Sequence, residues 1–319
     1  MAEAADVEGV TTGALERVLV AERARLVGLA YRITGSLLDA EDVVQEAWER
    51  ARRVDAGTVV RPAAWLTTVV SRLALDQLRS AQHRRETYVG PWLPEPVATG
   101  RGTRGDDPTP VAGARPPADP GDAAELAESL TFGFLRVLEA LSPVERAVFV
   151  LADVFAVPFP EIATIVGRTP DACRQIARRA RDRVRDEGRR HQRPDDAARV
   201  ADDLVGALVD GDTDRVLALL APDVVLVSDG GPTTHAARRP VVGADRVGRL
   251  MGTLARRGLE VDVRVVPTEL NGEPGFVAML GDVAVLATAL SVEAGRVVAV
   301  HSVVNPDKLA ALHLDTSIA

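Results

Sequence analysis

The sequence predicts a multi-domain protein in which two all-α helical domains, the second a helix-turn-helix, precede an α+β domain with a curved antiparallel sheet. Apolar residues recur at helical spacing in the first part of the chain, a stretch rich in Gly, Pro, Thr and Asp interrupts them, and strand-like runs fill the last third. The predicted segments are a first helical domain (14–87), a flexible linker (88–122), a second helical domain (123–190) and a C-terminal domain (195–319).

The composition indicates a protein with buried cores that acts in the cytoplasm. Hydrophobic residues make up 46% of the 319 residues, and a single cysteine, Cys173, excludes an intrachain disulfide and a cysteine-rich metal site. The acidic N-terminus lacks the basic start and apolar run of a signal peptide, and no apolar stretch approaches the roughly 20 residues that span a bilayer. We therefore expect a cytoplasmic protein with no membrane contact, no metal and no cofactor.

Charge is distributed unevenly along the chain. The formal net charge of −8 argues at first against nucleic-acid binding. The stretch from Asp171 to Arg193, however, carries nine arginines against four acidic residues, whereas the chain from Asp195 onward is acidic. Because local charge decides what a surface attracts, the arginine-rich stretch is a candidate DNA-binding surface.

Three helices are predicted in the first helical domain. The first begins near Leu15 and ends at the Gly35-Ser36 break, the second covers Leu38–Arg53, and Pro62 suits the first turn of a third that reaches about Arg85. An acidic exposed side is predicted for the second helix, and it consists of Asp39, Glu41, Asp42, Gln45 and Glu46.

The third helix combines Trp65 with polar and basic side chains, a mixture that suits unpaired bases and phosphates. Trp65 by itself fits a core position as well as a stacking position. The polar and basic candidates for DNA contact are Arg72, Gln77, Arg79, Arg84 and Arg85.

The second helical domain contains the strongest local pattern, a helix-turn-helix over Pro160–Arg185. Gly167 ends one short helix, and Thr169-Pro170-Asp171 supplies an N-cap, a proline at the first helical position and an acid in the first turn of the next. The second helix of such a motif lies in the major groove, where early side chains reach bases and arginines contact phosphates. The predicted DNA contacts are Thr169, Arg174, Gln175, Arg178 and Arg179. The alternative is a solvated arginine-rich helix on an ordinary bundle.

In the C-terminal domain, helices are predicted before strands. The helices cover about 197–209, 214–220 and 244–256, and the strands cover 224–227, 259–266, 275–280, 283–291 and 296–304. Gly281-Asp282 and Ala294-Gly295 are turn signals between strands, which favours a curved sheet.

Together the two helical domains resemble the extracytoplasmic-function form of the sigma-70 family. The resemblance covers roughly the first 190 residues and rests on DAEDVVQEAW in the first domain and on LSPVERAVF before the helix-turn-helix. It implies a non-enzymatic factor that binds core RNA polymerase, at its β′ coiled coil and β flap, and directs promoter-specific initiation. The acidic side of the second helix would dock on the β′ coiled coil. The helix Trp65–Arg85, with the turn Asp55–Arg61, would read the minus-ten element, and the helix from Pro170 the minus-35 element.

The C-terminal domain resembles the SnoaL-like members of the NTF2-like superfamily, a cone in which helices close a curved sheet around a pocket. The signatures are Trp92-Leu93-Pro94-Glu95-Pro96 in the linker, Asn305-Pro306-Asp307-Lys308-Leu309 near the C-terminus, and a partial Asp229-Gly230-Gly231-Pro232-Thr233 that lacks its usual final lysine. The resemblance implies a regulatory domain. The implied interdomain residues are Trp92, Leu93, Pro94, Glu95, Asp229, Asn305, Asp307 and Lys308.

Two other functions fit parts of the sequence. A ligand-sensing helix-turn-helix regulator explains the second and third domains, with an unidentified small molecule in the C-terminal pocket, but it leaves the first domain unexplained. A SnoaL-like enzyme domain fused to a DNA-binding module would need a general acid or base. The candidates are Asp229, His235, Asp262 and His301.

Overall fold

The structure is a computed structural model that describes residues 3–55, 58–85, 88, 90–99, 131–188, 196–310 and 312, with side chains from residue 15 onward except those of 82–85 and 185–188. The chain divides into two compact units. Of the described residues, the first unit contains those up to 83 and from 138 to 184, and the second contains those from 84 to 99, from 131 to 137 and from 185 onward.

The first unit begins with the three expected helices: α1 (Glu3–Thr34), α2 (Leu37–Arg53) and α3 (Pro62–Arg85). Gly35 has φ +74° between α1 and α2, a left-handed conformation that glycine adopts without a Cβ clash. Ser36 then caps α2 by accepting a hydrogen bond from the Asp39 N–H at 3.0 Å.

Four more helical segments follow: α4 (Phe132–Glu139), α5 (Pro143–Phe149), α6 (Phe159–Val166) and α7 (Pro170–Gly188). Helix α5 begins with a capping box, since Ser142 and Glu145 satisfy each other's backbone N–H groups. It ends where the helix widens into a π-helical turn over Val150–Val154. Residues 123–130, the start of the predicted second helical domain, lie outside the described residues.

The second unit is an α+β domain. Its helices are α8 (Ala197–Asp210), α9 (Thr213–Leu219), α10 (Ala244–Glu260) and α11 (Pro306–Leu309). Its strands are β1 (Leu220–Asp229), β2 (Val241–Val242), β3 (Arg264–Leu270), β4 (Glu273–Leu280), β5 (Val283–Glu293) and β6 (Arg296–Val303). The expected strand Leu259–Val266 is corrected, because α10 continues to Glu260 and the strand starts at Arg264.

The six strands form one mixed sheet in the order β2-β1-β6-β5-β4-β3, where we predicted a curved antiparallel sheet. Strands β3 to β6 are an antiparallel meander, but β1 pairs with β6 in parallel. Periodic apolar residues identify a strand without fixing its direction, so the parallel pair has no local sequence signal. Register shifts in β1–β6, β4–β5 and β5–β6 bend the sheet.

Both faces of this sheet are buried. Helices α8, α9 and α10 cover one face, where Leu226, Leu290 and Val300 form a core with the helices. The opposite face carries Val227, Val277, Ala289 and Val303, and it is covered by Leu93, Ala98, Phe132, Leu309 and Leu312. Residues from the expected linker therefore pack as part of the C-terminal domain.

Candidate functional site

The acidic side of α2 lies as predicted, with its carboxylates opposite the buried side. Val43, Val44 and Ala47 are buried, whereas Asp42 and the residues Gln45 and Glu46 are exposed. Glu41 is half-buried and lies 3.5 Å from Arg23, and Glu46 pairs with Arg50 at 2.6 Å. Exposed pairs of this kind contribute little stability, so these carboxylates can exchange partners.

Asp39 and Gln77, which we assigned to different partners, bind each other. Gln77 Nε2 donates to Asp39 Oδ1 at 2.7 Å, and this bond joins α2 to α3. Asp39 is half-buried and its backbone N–H is already used by Ser36. Both side chains therefore hold the first helical domain together in this structure.

Helix α3 places its described basic residues on the exposed side, but Arg72 also binds another helix of the same unit. Arg72 donates to the carbonyl of Thr164 at 2.7 Å, and Arg61 pairs with Glu161 at 2.9 Å, so α3 and α6 are in contact. Trp65 is half-buried, Arg79 is exposed and bonded to Asp76 at 3.2 Å, and the side chains of Arg84 and Arg85 lie outside the described part.

Helix α7 has the geometry expected of a recognition helix. Gly167 adopts φ +66°, and the Ala172 N–H donates to Thr169 Oγ1 at 3.2 Å, so the predicted turn and N-cap are confirmed. The buried side consists of Cys173, Ile176, Ala177 and Ala180, and Ala172 and Val184 are half-buried. The exposed side carries Thr169, Arg174, Gln175, Arg178 and Arg179.

The single cysteine lies on the buried side of this helix. Cys173 is fully enclosed, and burial raises the pKa of its thiol. It is a small packing residue that sets α7 against the rest of the bundle.

A buried arginine connects the two helical domains, and sequence reasoning missed it. Arg146 donates from Nε to the carbonyl of Arg32 at 2.9 Å and pairs with Glu139. Arg32 is also fully buried, with its guanidinium 5.6 Å from the Phe155 ring centroid, and this burial lowers its pKa to about 9. Arg146 therefore supplies a positive charge at the C-terminal end of α1, where the helix dipole favours it.

The second unit contains a buried polar cluster at the end of β1, which we call the latch: Tyr88, Trp92, Leu93, Asp229, Asn305 and Lys308. Lys308 Nζ lies 2.7 Å from Asp229 Oδ2, donates to the Leu93 carbonyl, and lies 3.9 Å from the Trp92 ring centroid. Asp229 also accepts from the Tyr88 hydroxyl at 2.5 Å and from the Leu93 N–H at 2.7 Å. Its charge is thus both paired and hydrogen-bonded, which burial requires.

Gly231 lets the chain turn tightly around the latch. Gly231 has φ +62°, its N–H donates to Asp229 at 3.0 Å, and a Cβ there would lie 2.7 Å from the Asn305 side chain. Asn305 donates to the Tyr88 hydroxyl at 3.1 Å and caps α11 by accepting from the Asp307 N–H. The cation beside Asp229 is Lys308, from the signature near the C-terminus.

The latch fastens an extended segment, which we call the strap (residues 90–99), to the sheet. Farther along the strap, Val97 and Asn271 exchange two hydrogen bonds of 2.9 and 2.7 Å, and Ala98 forms a bridge with Leu270. Thr99 donates to Glu269 at 3.0 Å. The strap thus runs along the edge strand β3 and supplies apolar cover to the sheet.

A second attachment lies at the start of α4. The Phe132 N–H donates to Glu273 Oε2 at 2.9 Å, and the Phe132 ring stacks on His301 with 5.8 Å between centroids. The chain is therefore fixed to the same sheet just after the first helical domain and again just before the helix-turn-helix.

Most of the predicted regulatory residues meet at this site. Leu93, Pro94, Glu95, Asp229, Asn305 and Lys308 are buried, whereas Asp307 is exposed and takes part through its backbone. The aromatic residues Tyr88 and Trp92 are half-buried against Lys308. Burial and the hydrogen bond to Asp229 raise the pKa of Tyr88 above its usual range.

The structure separates the candidate acid and base residues. Asp229 belongs to the latch, His301 stacks on Phe132 on the strap side of the sheet, and Asp262 lies in an exposed turn with φ +54°. His235 lines a cavity on the other face. Among the described residues, no group of three or more His, Cys, Asp or Glu side chains is placed to hold a metal ion.

Of the residues missed by sequence reasoning, Asn271 had a signal. Asn271-Gly272 is the two-residue turn between β3 and β4, with φ +54° and +76°, and Asn-Gly between strand-like runs favours such a hairpin. Tyr88, Phe132 and Glu273 act through partners far away in the chain, so they had no local signal.

None of the described helices is long and apolar enough to cross a membrane.

The comparisons with known proteins agree with this geometry. Sigma-70 region 2 matches residues 19–84, and Sigma-70, region 4 matches residues 132–184. The ECF RNA polymerase sigma factor SigJ of Mycobacterium tuberculosis (strain ATCC 25618 / H37Rv) is 43% identical over 300 residues, 90% of each chain. The chain belongs to the extracytoplasmic-function sigma factor family. A probable sigma factor of that family from the same organism, SigI, is 35% identical to this sigma factor over 91% of its chain and 92% of the relative.

The fold of this sigma factor is shared along nearly its full length. The crystal structure of the M. tuberculosis sigma factor SigJ superimposes with a TM-score of 0.69 at 39% identity and covers 92% of this chain and 98% of that one. The helical N-terminal regions are followed by an α+β domain with a mixed sheet. This sigma factor is a transcription initiation factor of a family that binds core RNA polymerase and promoter DNA.

Proposed function

We propose that this sigma factor binds core polymerase through α2, reads promoter DNA through α3 and α7, and is regulated by the latch and strap of its C-terminal domain. The observation that carries the regulatory part is the buried Asp229–Lys308 pair, which fastens the strap to the sheet. The protein acts where RNA polymerase acts, in the cytoplasm.

The polymerase contact is the acidic side of α2, and it meets the β′ coiled coil. Asp42, Gln45 and Glu46 are exposed on one face and backed by buried apolar residues, an arrangement that suits an electrostatic docking surface. A second contact, with the β flap, belongs to the helix-turn-helix domain. Asp39 and Glu41 border the α2 surface and are half-buried.

The DNA contacts divide between two helices. On α7 the exposed row of Arg174, Gln175, Arg178 and Arg179 faces the minus-35 element, and Thr169 caps the helix at the groove. On α3, Trp65 with Arg72, Gln77, Arg79, Arg84 and Arg85 contacts the minus-ten element. Arg72 must first leave the Thr164 carbonyl, and Gln77 must leave Asp39.

Regulation follows from the position of the strap in the chain. The strap comes between region 2 and region 4, and Phe132 fixes the start of region 4 to the same sheet. As long as both attachments hold, part of the chain between region 2 and region 4 is bound to the sheet. Only the remaining residues then act as a tether between the two regions. Opening the latch frees the strap and lengthens the tether, which changes the effective concentration of one DNA-binding region near the other.

Transcription in vitro with core polymerase and a promoter library tests the binding part. D42R/E46R is expected to abolish polymerase pull-down and transcripts, and R178A/R179A to abolish minus-35-dependent initiation while pull-down persists. The matched controls are D214R and R249A/R256A, which change exposed charges of the C-terminal domain. If the α2 and α7 variants initiate like these controls, the proposed surfaces are wrong.

The regulatory part is tested with the latch. K308M is expected to change the yield of promoter-directed transcripts severalfold, whereas L280A, an exposed site in the same domain, is expected to leave it unchanged. Equal transcription from K308M, L280A and the wild type would remove the regulatory role and leave the polymerase and promoter roles standing.

We also propose that the C-terminal domain carries out no catalysis. The four candidate acid and base residues lie on different faces and loops of the domain, and only His235 lines the cavity. Acid–base catalysis needs its groups within hydrogen-bond reach of one substrate.

A further inference from the structure

The concave face of the C-terminal sheet encloses a cavity that the sigma factor's known role does not use. Its volume is about 390 Å³, and it lies between the strands β1 and β3–β6 on one side and the helices α8 and α10 on the other. Pockets that bind small molecules have volumes of about 300–1,000 Å³ and are mostly apolar. The walls are made of residues such as Leu208, Leu250, Met251, Phe276 and Leu286.

Three hydroxyl groups form a row on the floor of this cavity. Ser228 of β1 pairs in register with Ser302 of β6, and Ser302 pairs in register with Thr288 of β5. The Thr288 and Ser302 hydroxyls lie 3.1 Å apart and are hydrogen-bonded. Two hydroxyls that share one hydrogen bond retain one O–H to donate and lone pairs to accept.

The charge of the lining sets the charge of the ligand. None of the described residues that line the cavity is Asp, Glu, Lys or Arg, and His235 is exposed at the edge. A charged ligand would lose its hydration on entering the cavity and would gain no partner of opposite charge there. This transfer is unfavourable by several kcal/mol or more. A neutral molecule meets no such penalty.

The cavity opens to solvent beside the segment that follows β1. His235 is exposed there, and Ala236 and Ala237 are half-buried. Leu254 and Leu259 of α10 also line the cavity while 48% and 56% exposed. A ligand in the cavity would cover this apolar surface, which water otherwise contacts.

We propose that this cavity binds a neutral, largely apolar small molecule whose hydroxyl or carbonyl group hydrogen-bonds to Thr288 and Ser302. The apolar walls provide affinity, and the hydroxyl row fixes the orientation of the ligand. The cavity lies on the face of the sheet opposite the strap, and ligand binding to it is measured without polymerase or DNA. A failure to detect ligand binding therefore leaves the proposed transcription function untouched.

The first test measures binding of N-phenyl-1-naphthylamine, a neutral fluorescent dye, to the full chain. The wild type is expected to enhance its fluorescence with saturation below about 100 µM. A237W, which fills the opening, is expected to weaken binding by about tenfold or more, because the dye loses its apolar contacts. A218W places the same ring on the exposed side of α9, outside the lining, and is expected to bind like the wild type.

A278L is a second blocking variant on the cavity floor, and circular dichroism checks the fold of each variant. Absence of saturable binding by the wild type would overturn the proposal. Equal binding by A237W, A278L and A218W would also overturn it, because the dye would then lie on the exposed apolar side chains of α10.

The second test addresses the hydroxyl row through displacement of the dye by 2-naphthol and by naphthalene. In T288V/S302A both hydroxyls are removed together, so no buried partner is left unsatisfied. The preference for 2-naphthol over naphthalene is expected to fall by about fivefold relative to the wild type, the effect of one lost hydrogen bond. An unchanged preference would contradict the assigned polar contact.

Discussion

Lys308 and Asp229 form an ion pair inside the C-terminal domain, with 2.7 Å between Nζ and Oδ2 and with 6% and 0% of the two residues exposed. The pair lies where β1 ends and α11 begins, and Lys308 also donates to the carbonyl of Leu93. A single buried interaction thus connects the three signature segments that the sequence places far apart.

The substitution K308M is expected to destabilise the C-terminal domain by about 3–5 kcal/mol, because it leaves the Asp229 carboxylate buried without its cation. Urea unfolding followed by the fluorescence of Trp92, in a background in which Trp48 and Trp65 are replaced by Phe, measures the change. The double variant D229N/K308M removes both charges and is expected to recover part of the loss. A loss of stability below about 1 kcal/mol in K308M would show that the pair is exposed in solution.

The substitution L93A tests the packing of the strap. Leu93 is 0% exposed, so its truncation is expected to cost about 2–5 kcal/mol. L280A removes the same atoms from a side chain that is 48% exposed and is expected to change stability by less than about 0.5 kcal/mol. Thermal unfolding of the two variants in parallel gives the comparison; similar midpoints would mean that the strap is detached.

Tyr88 makes the stability of the latch depend on pH in the alkaline range. Burial and the hydrogen bond to Asp229 raise the pKa of Tyr88 in the folded chain above the ordinary value of about 10. The contribution of Tyr88 is therefore fully present below pH about 10 and is lost as pH rises from there toward the folded pKa. Y88F is expected to show a smaller decrease of the melting temperature than the wild type above pH about 10, and equal decreases would contradict the bond.

Arg146 is expected to support the helical unit. R146M removes the donor to the Arg32 carbonyl and the partner of Glu139, and the expected loss is about 2–4 kcal/mol from the unsatisfied groups. Chemical unfolding monitored by far-ultraviolet circular dichroism measures it. R178M, on the exposed side of α7, serves as the matched control and is expected to unfold like the wild type.

The arginine row of α7 predicts a salt dependence of promoter binding. If Arg178 and Arg179 each neutralise one phosphate, R178A/R179A lowers the slope of log affinity against log salt concentration by about 2 for the holoenzyme. Filter binding or anisotropy over a range of salt concentrations measures the slope. The control R249A/R256A is expected to keep the wild-type slope. An equally reduced slope in R178A/R179A and R249A/R256A would refute a specific role for α7.

The helices and their ends were predictable because their signals are local. Ser142 with Glu145, and Gly167 with Thr169, lie within a few residues of the backbone groups that they satisfy. The signature residues Asp229 and Lys308 were also singled out, through the family resemblance. Their direct pairing, however, depends on a fold that brings β1 next to β6 in parallel, and the apolar pattern of each strand carries no direction.

The attachment of the strap was missed for a related reason. Trp92 and its neighbours were predicted to belong to a flexible linker (88–122), because the chain that follows them contains few large apolar residues. The surface that they cover consists of residues such as Val227 and Val277, more than a hundred positions away. The near-continuous apolar run Gly275–Leu280 was the available signal, because a strand with water on one side alternates apolar and polar residues.

The double covering of the sheet has a practical consequence for dissecting this protein. A fragment that starts at Ala197 keeps every described strand but lacks Leu93, Ala98 and Phe132, which cover one face of the sheet together with Leu309 and Leu312. In such a fragment this face of the sheet would expose a hydrophobic patch, and exposed hydrophobic patches promote self-association. A soluble, monomeric C-terminal piece therefore needs a copy of the strap, either joined at its front end or added as a separate peptide.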